Sequence, residues 1–229
     1  MRALVIVPTY NARENIRTIG GEPLADPEIE LTIDDDRSPD GTGAIADGLA
    51  SEHAGRVTVI HRTGTRGLGR SYVDGMQHAL THSDADLICQ MDADLSHLPA
   101  DLPRLLAAAA DADLVIGSRY VHGGRVVNWP KRRVLLSTFA NRYVRLLTRL
   151  DVRDITSGFR CWRRPTLEQI PLAGLRSDGY AFQVEMTWHA GRAGARIAEV
   201  PITFVERRQE FAEQRRAIVK GEMAFFCLP

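Results

Sequence analysis

Short apolar runs recur along the first half of the chain and alternate with longer, more polar segments. The runs lie at residues 3–7, 30–33, 56–60, 86–91 and 113–117. The first of them is apolar at every position, which is typical of a parallel strand buried on both faces. Because strand-like and helix-like segments alternate, the pattern predicts an α/β protein with a doubly wound, mostly parallel sheet flanked by helices.

The helix-like segments differ between the two halves of the chain. Helices are predicted at residues 44–50 and 101–110, and between them a helix runs through Tyr72, Met76 and Leu80. After the strand that ends at residue 117 the regular alternation breaks. The remaining predicted elements are a Gly-rich loop at 120–130, a long helix at 131–150, a helix at 179–192 and a strand at 199–205.

Two carboxylates, Asp92 and Asp94, follow the apolar run at 86–91 directly and stand one residue apart. Side chains at positions i and i+2 of an extended segment point the same way, so the two can share one hard divalent cation. Ligands bind at the carboxyl ends of strands in open α/β sheets, and a metal ion there can neutralise a departing phosphate. The alternative is that both aspartates cap a helix or form a turn.

The predicted helix at 131–150 is strongly basic and carries no acidic residue before Asp151. A basic amphipathic helix can lie on a membrane surface. The alternative is an ordinary packed helix with a solvated basic face. Its basic residues are Lys131, Arg132, Arg133, Arg142, Arg145 and Arg149, and its apolar residues include Val134, Leu135, Leu136, Phe139, Val144, Leu146 and Leu147.

Composition narrows the class of protein further. The chain has 229 residues with 44% hydrophobic content, which suffices for one large globular domain with a substantial core. Its formal net charge is zero, which argues against binding to nucleic acid through overall charge. The three cysteines lack metal-binding spacing and fit a reducing compartment. No signal-peptide pattern opens the chain and no apolar run is long enough to span a bilayer, so we expect a cytoplasmic location.

Several short segments, taken in order, resemble the inverting family 2 glycosyltransferases. Within them the chain is most similar to the polyprenol (dolichol) monophosphate mannose synthases, a subgroup that the segments at 117–120 and 128–130 favour. The resemblance extends from the first strand to Arg207. The segments are Ile6-Val7-Pro8-Thr9-Tyr10-Asn11, Asp35 to Thr42, Gly67-Leu68-Gly69, Met91 to His97, Gly117-Ser118-Arg119-Tyr120, Ser157-Gly158-Phe159-Arg160 and Glu199 to Phe204.

This resemblance implies a fold, a domain organisation and a reaction. The fold is of the GT-A type, with a Rossmann-like sheet. Residues 1–229 would form a single catalytic domain, with a nucleotide-sugar half at about 1–117 and an acceptor half at about 118–229. The reaction would move mannose from GDP-mannose to a polyprenyl monophosphate, using Mg²⁺ or Mn²⁺, on the cytoplasmic face of a membrane.

The resemblance also implies roles for individual residues. A lipid phosphate is already ionised near neutral pH, so it needs no strong general base, and the planar fork of arginine suits it. For Arg119 and Arg133, a structural ion pair is the alternative to phosphate binding. For Tyr10, a place in the hydrophobic core is the alternative to nucleotide binding. The implied metal ligands are Asp92, Asp94 and Ser96; the acceptor-phosphate residues are Arg119, Arg133 and Ser137; the residues at the nucleotide are Pro8, Tyr10, Asp34, Asp36, Ala93 and Arg207.

The sequence departs from the family pattern in the nucleotide half and near the C-terminus. Ala12 stands where the family usually has a glutamate that contacts the base, and Asp34 replaces an apolar residue. Glu213 stands where the family has a lysine that reaches the phosphates, a role that Arg215 or Arg216 could take. These departures leave two alternatives open: another donor such as UDP-glucose, or a nucleotide-sugar binder with little activity.

Overall fold

The computed structural model describes residues 1–206. It contains every predicted strand and two further short ones, Arg125–Val127 within the predicted Gly-rich loop and Arg160–Arg163. The predicted strand at 199–205 is divided in two by Ile202, and the other predicted boundaries shift by one or two residues. The strands are β1 (Ala3–Thr9), β2 (Ile29–Asp35), β3 (Val57–His61), β4 (Leu87–Gln90), β5 (Leu114–Ser118), β6 (Arg125–Val127), β7 (Arg160–Arg163), β8 (Ile197–Pro201) and β9 (Thr203–Val205).

The helices also follow the prediction: the polar segment after Asn11 predicts the helix at Ile16–Gly21, and among residues 1–206 the α-helix at Arg164–Leu167 is the one addition. The helix predicted to end at Leu150 ends at Thr148, because Arg149 adopts the left-handed conformation with φ of 58°. Asp178 begins the last helix by accepting a hydrogen bond from the N–H of Gly179 (2.8 Å). The helices are α1 (Ile16–Gly21), α2 (Thr42–Glu52), α3 (Leu68–His82), α4 (Leu102–Ala108), α5 (Lys131–Thr148), α6 (Arg164–Leu167) and α7 (Gly179–Arg192).

Seven strands form one sheet in the order β3-β2-β1-β4-β7-β5-β8, and β6 pairs with β9 in a separate two-stranded sheet. All neighbours in the large sheet are parallel except β7, which runs antiparallel to β4 and β5. The predicted fold class, a mostly parallel α/β sheet flanked by helices, is confirmed. Because β2 and β4 lie on opposite sides of β1, the strand order reverses there, and such a point is where open α/β sheets bind ligands.

The central strand β1 is buried on both faces. Val5 and Val7 belong to a core that α1, α2 and α4 cover, whereas Leu4 and Ile6 belong to a second core beneath α3 and α7. Alternate residues of a strand point to opposite faces, so a strand covered on both sides needs apolar residues at every position. This is the physical reason for the uninterrupted apolar run at residues 3–7.

Strand β7 was not predicted from the sequence, because two arginines bracket its short apolar centre. Arg160 is nevertheless completely buried, and its guanidinium donates to the carbonyl oxygens of Ser157, Ile155 and Gln183 and to Oγ1 of Thr187, at 2.6–2.9 Å. Burial lowers the pKa of Arg160 to about 9. The Arg160 side chain therefore joins β7 to the loop before it and to α7.

Candidate active site

Polar side chains gather at the edge of the sheet where the parallel strands end. Tyr10 follows β1, Asp36 follows β2, Asp92 lies two residues after β4, and Arg119 follows β5. Because these four strands are parallel, their carboxyl ends face the same edge. The fold thus brings together residues that are distant in the sequence and that were predicted to act on a nucleotide, a metal ion and a phosphate.

The segment that carries Asp92 and Asp94 forms a turn after β4 and is not extended. Ala93 and Asp94 lie in the turn, and Leu95 has a left-handed backbone with φ of 60°. Asp94 accepts hydrogen bonds from the N–H and from the hydroxyl of Ser96, both at 2.7 Å. The geometric argument from an extended i, i+2 pair was therefore wrong, although both carboxylates remain partly exposed at the sheet edge. We call Asp92 and Asp94 the carboxylate pair.

Asp92 is held by residues from other parts of the fold. The hydroxyl of Tyr72 on α3 donates to Oδ1 of Asp92 at 2.7 Å, and Nδ1 of His97 lies 3.5 Å from Oδ2. Burial raises the pKa of Asp92; His97 opposes this shift, whereas the charge of Asp94 adds to it. Burial also raises the pKa of Tyr72 well above its ordinary value, so its phenol stays protonated and acts as a donor.

The carboxylate pair fits a hard divalent cation in its donor chemistry. The two carboxylates are close enough that the charge of Asp94 disfavours ionisation of Asp92, a repulsion that a cation would relieve. In the part of the chain that the structure describes, no group of three histidine, cysteine or acidic residues is arranged to hold a metal ion. The protein thus offers two carboxylates, a set that suits an ion completed by substrate phosphates and water.

Ser96, the implied third ligand, lies against Asp94 instead of facing the open edge. Its side chain is 1% exposed and its hydroxyl donates to Asp94, so in this arrangement it orients a carboxylate. Ala93 contributes its carbonyl oxygen, which accepts a hydrogen bond from the side-chain amide of Asn15 at 3.3 Å. This bond joins the turn to the segment before α1.

On the nucleotide side, Tyr10 is exposed and Asp36 is engaged in an ion pair. Tyr10 is 42% exposed, and the guanidinium of Arg66 lies over its ring, 4.3 Å from the centroid. Asp36 pairs with Nη1 of Arg62 at 2.8 Å and accepts from the N–H of Gly67 at 3.2 Å. Arg66 and Arg62 were not among the predicted residues, because single arginines in a loop carry no local signal of such contacts.

Asp34 and Pro8 are buried, and neither reaches the open edge. Asp34 lies beneath α3, where a Cβ at Gly75 would come within 2.4 Å of Oδ2, and neither carboxylate oxygen has a hydrogen-bond partner among residues 1–206. Burial raises the pKa of Asp34 well above its ordinary value; the charge of Asp74 adds to this shift and Arg62 opposes it. In this structure Asp34 is a core residue beside the site.

Some of the predicted site residues lie beyond the part of the chain that the structure describes. Arg207, the segment from Glu210 to Glu213, and the two arginines Arg215 and Arg216 lie outside the described residues.

Arg119 forms the structural ion pair that was the alternative to phosphate binding. Its Nε and Nη2 donate to the two carboxylate oxygens of Asp154 at 2.7 and 2.6 Å, and Nη2 also donates to Oγ1 of Thr156 at 2.9 Å. The exposed fractions of the two side chains are 4% and 0%. The sequence did not identify Asp154 as this partner, because the two residues are far apart in the chain.

Three aromatic rings surround the guanidinium of Arg119, and one of them also contacts Arg133. The Cζ atom of Arg119 lies 5.3 Å from the ring centroid of Tyr120 and 5.4 Å from those of Trp129 and Phe204. Arg133 lies 4.0 Å from the Trp129 centroid. Trp129 therefore contacts two guanidinium groups, and both contacts are favourable because the face of an aromatic ring is negative.

Arg133 forms an ion pair with Glu206, and Ser137 lies one helical turn further along α5. The side chain of Arg133 is 24% exposed, against 4% for Glu206. Ser137 accepts a hydrogen bond from the hydroxyl of Tyr120 at 2.7 Å. We call Arg119 and Arg133 the arginine pair. Each of its members faces a buried carboxylate, and Arg133 is the more accessible of the two.

Helix α5 presents most of its apolar side chains to solvent. Only Asn141 and Val144 of this helix are buried. An ordinary packed helix would show the opposite arrangement, with its apolar face against the core. No helix in residues 1–206 has the length and apolar character that crossing a membrane requires. The exposed apolar residues of α5 are Leu135 (73%), Leu136 (67%), Phe139 (67%), Tyr143 (51%), Leu146 (76%) and Leu147 (50%).

The chain belongs to glycosyl transferase family 2, and its mostly parallel sheet flanked by helices is consistent with that class of enzyme. The sequence pattern of the family described as "Glycosyl transferase family 2" matches residues 4–170. The predicted resemblance to the family 2 glycosyltransferases is confirmed.

Two relatives are similar over most of the chain. The first is the polyprenol monophosphomannose synthase of Mycolicibacterium smegmatis, which is 51% identical over 208 residues, 90% of this chain and 78% of that protein. The second is the undecaprenyl-phosphate mannosyltransferase of Micrococcus luteus, which is 49% identical over 208 residues, 90% of this chain and 85% of that protein. Both are named for transfer of mannose to a lipid phosphate.

Solved structures with low sequence identity share the fold. The glucosyl-3-phosphoglycerate synthase of Mycobacterium tuberculosis is 21% identical with a TM-score of 0.67, covering 96% of this chain and 77% of that one. A mannosyltransferase of Pyrobaculum calidifontis, solved with GDP-Man and Mn²⁺, is 20% identical with a TM-score of 0.63, covering 93% of this chain and 59% of that one. At such identities the likeness establishes the architecture.

Proposed function

We propose that this chain transfers mannose from GDP-mannose to a polyprenyl (dolichyl-type) monophosphate, with inversion, to give polyprenyl-phosphate mannose and GDP. The observation that carries the proposal is the placement of the carboxylate pair and the arginine pair along one sheet edge, in a chain half identical to two lipid-phosphate mannosyltransferases. We further propose that residues 1–229 act as one catalytic domain, with the donor bound by the first half and the acceptor by the second.

On the donor side, Asp92 and Asp94 would hold Mg²⁺ or Mn²⁺, with Ser96 orienting Asp94. When bound, the ion supplies positive charge to the diphosphate that leaves. The residues proposed to contact the nucleotide are Tyr10, Asp36, Ala93 and Arg207, whereas Pro8 and Asp34, which are buried, would only support that surface from the core. Among them the exposed ring of Tyr10 offers a stacking surface, and Asp36 can accept a hydrogen bond from a ribose hydroxyl.

On the acceptor side, the arginine pair and Ser137 would bind the lipid phosphate. The phosphate monoester supplies its own ionised oxygen as the nucleophile, so the protein has to orient it and not deprotonate it. Trp129 supports this assignment, because its ring contacts both guanidinium groups and its buried Nε1–H has no hydrogen-bond partner among the described residues. Inversion requires attack from the face of the sugar opposite to the diphosphate.

We also propose that α5 docks on the cytoplasmic face of a membrane, where its polyprenyl substrate lies. The exposed apolar side chains of α5 would enter the lipid, and its basic residues would meet anionic headgroups. Each surface base contributes about 1 kcal/mol at low salt, and screening weakens this attraction as salt rises. We expect vesicles with anionic lipid to bind the protein, less so at high salt, and Leu135→Ser or Leu146→Ser to weaken binding. Binding that is absent or independent of salt would contradict the proposal.

The test of the reaction is a coupled assay of GDP release from GDP-mannose with manganese, with and without a short polyprenyl phosphate. We expect release to depend on the acceptor. Release from UDP-glucose in place of GDP-mannose would instead support the alternative donor that Ala12 leaves open. Binding of GDP-mannose by calorimetry without any turnover would identify a nucleotide-sugar binder and overturn the proposed activity.

A further inference from the structure

Tyr72 connects the carboxylate pair to the helical layer behind the sheet. Its side chain is completely buried on α3, and its ring is parallel to that of Phe182 on α7, with centroids 6.1 Å apart. The hydroxyl group alone reaches the site, where it donates to Oδ1 of Asp92 at 2.7 Å. An ionised carboxylate can only accept, so this donor is matched to the charged form of Asp92.

The backbone at Gly158 limits the space around the Asp92 carboxylate. A Cβ placed on Gly158 would come within 3.1 Å of Oδ2 and 3.3 Å of Oδ1 of Asp92, and within 3.4 Å of the His97 ring. The N–H of Asp92 donates to Nδ1 of that histidine at 3.4 Å. Asp92 therefore lies between a donor that fixes one oxygen and a glycine that leaves just enough room for the carboxylate.

Asp94 is oriented in a different way. Both of its hydrogen bonds come from Ser96, two residues further along the same turn, so they form whenever the turn forms. The orientation of Asp92 depends instead on the packing of α3 and α7 against the sheet. Residues that do not touch the metal ion can therefore change the orientation of a metal ligand such as Asp92.

We propose that Tyr72 is a positioning residue, whose hydroxyl fixes the Asp92 carboxylate in the orientation that binds the divalent cation, and that Gly158 preserves this orientation from the opposite side. The inference rests on the proposed metal-dependent function. It adds to the site two residues that touch neither the ion nor the nucleotide.

The test removes the hydroxyl and keeps the ring. In Tyr72→Phe the stacking on Phe182 is retained, and we expect Mn²⁺ affinity in the presence of GDP to fall about 10- to 100-fold, the usual effect of removing a partner that orients a ligand. Affinity is measured from the electron paramagnetic resonance signal of free Mn²⁺, which reports binding without any turnover. At saturating Mn²⁺ the rate should return close to that of the wild type, because the ligand itself is intact.

The matched control is Thr187→Val, which also removes a buried hydroxyl but lies on α7 in contact with Arg160, away from the carboxylate pair. We expect it to lower the melting temperature and leave Mn²⁺ affinity unchanged. Gly158→Ala is the second variant: it crowds Asp92 and should weaken Mn²⁺ binding even if Tyr72→Phe folds poorly.

The possible outcomes separate this inference from the proposed function. Tyr72→Phe and Gly158→Ala variants that bind Mn²⁺ as tightly as the wild type would overturn the positioning role and leave the metal assignment intact. A wild-type protein that binds no Mn²⁺ with GDP would overturn the metal assignment itself. A rate that stays low in Tyr72→Phe at saturating Mn²⁺ would show that the hydroxyl acts on something other than the ligand.

Discussion

The carboxylate pair and the arginine pair hold their charges by opposite means. Hydroxyl groups of Tyr72 and Ser96 donate to the carboxylates, and these donors carry no charge. The arginines, in contrast, each face a full counter-charge, Asp154 for Arg119 and Glu206 for Arg133. The donors to the carboxylate pair therefore leave its negative charge in place, whereas carboxylates of the protein neutralise the positive charge of the arginine pair.

This difference assigns different tasks to the two pairs. In the proposed function the carboxylate pair takes up a cation, which would relieve the repulsion between its two negative charges. The arginine pair is already paired with carboxylates of the protein, so in the same proposal a lipid phosphate would compete with them. Arg133 is more exposed than Arg119, at 24% against 4%, so within the proposed acceptor site it is the arginine that a phosphate can reach more readily.

The largest expected effect is on the carboxylate pair. Asp92→Asn or Asp94→Asn should abolish metal-dependent binding of GDP-mannose and lower kcat/KM about a thousandfold, because a bound ion supplies several kcal/mol of charge stabilisation. Calorimetry with manganese measures the binding, and the melting temperature serves as the control for folding. If both variants bind the donor as tightly as the wild type, the carboxylates are not the ligands.

The next effect tests the buried half of the arginine pair. Arg119→Ala should cost about 3–5 kcal/mol of unfolding free energy, because it leaves Asp154 buried without its counter-ion. Urea unfolding measures this cost. The control is Arg196→Ala, whose ion pair with Asp113 has exposed fractions of 64% and 24% and, being screened by water, should contribute far less. Equal costs for the two variants would remove the distinction between a buried and an exposed pair.

A smaller effect is expected at Arg133, where function should change more than stability. Arg133→Ala should leave GDP-mannose affinity nearly intact and reduce turnover by the equivalent of about 1.5–3 kcal/mol, the usual contribution of a charged hydrogen bond. Arg133→Lys should rescue poorly, because lysine lacks the planar fork. Steady-state rates at varied polyprenyl phosphate are compared with donor binding by calorimetry. Lost donor binding with unchanged acceptor dependence would mean that the donor and acceptor sides have been exchanged.

The smallest expected effect concerns the unpaired carboxyl of Asp34. Its raised pKa means that the folded protein keeps a proton that the unfolded chain releases above about pH 4. The contribution of this group to stability is therefore complete below that pH and is lost as pH rises through the folded-state pKa. Asp34→Asn removes this dependence, so its gain over the wild type in urea unfolding should be larger at about pH 8 than at about pH 5. The same difference at both values would contradict the raised pKa.

The sequence was sufficient to predict six of the seven strands of the large sheet and the position of the carboxylate pair. Apolar runs such as residues 3–7 report burial directly, and Asp92 follows such a run, so its place at a strand end could be inferred from local pattern alone. The strand β7 escaped prediction because Arg160 makes a buried segment look polar. The four hydrogen bonds that Arg160 donates are tertiary contacts, so the pattern of polar and apolar residues along the chain does not reveal them.

The sequence also did not show which residues contact the predicted site residues. Asp154 and Glu206 neutralise the arginine pair, and Tyr72 orients Asp92, but each contact joins residues from separate elements. Local pattern indicates which residue types stand at strand ends. Whether a charge at such a position is free or already paired depends on the packing of distant segments, and this is what distinguishes the two pairs.

The antiparallel strand β7 has a consequence for the order in which the sheet is assembled. Strands β1 to β4 pair only with one another and with β7, so they can associate as soon as residues up to Gln90 have left the ribosome. Strand β5 has β7 and β8 as its neighbours, and both are synthesised after it. During translation β5 is therefore made before either of its partners, and an unpaired apolar strand of this kind is prone to aggregation until Arg160–Arg163 can enter between it and β4.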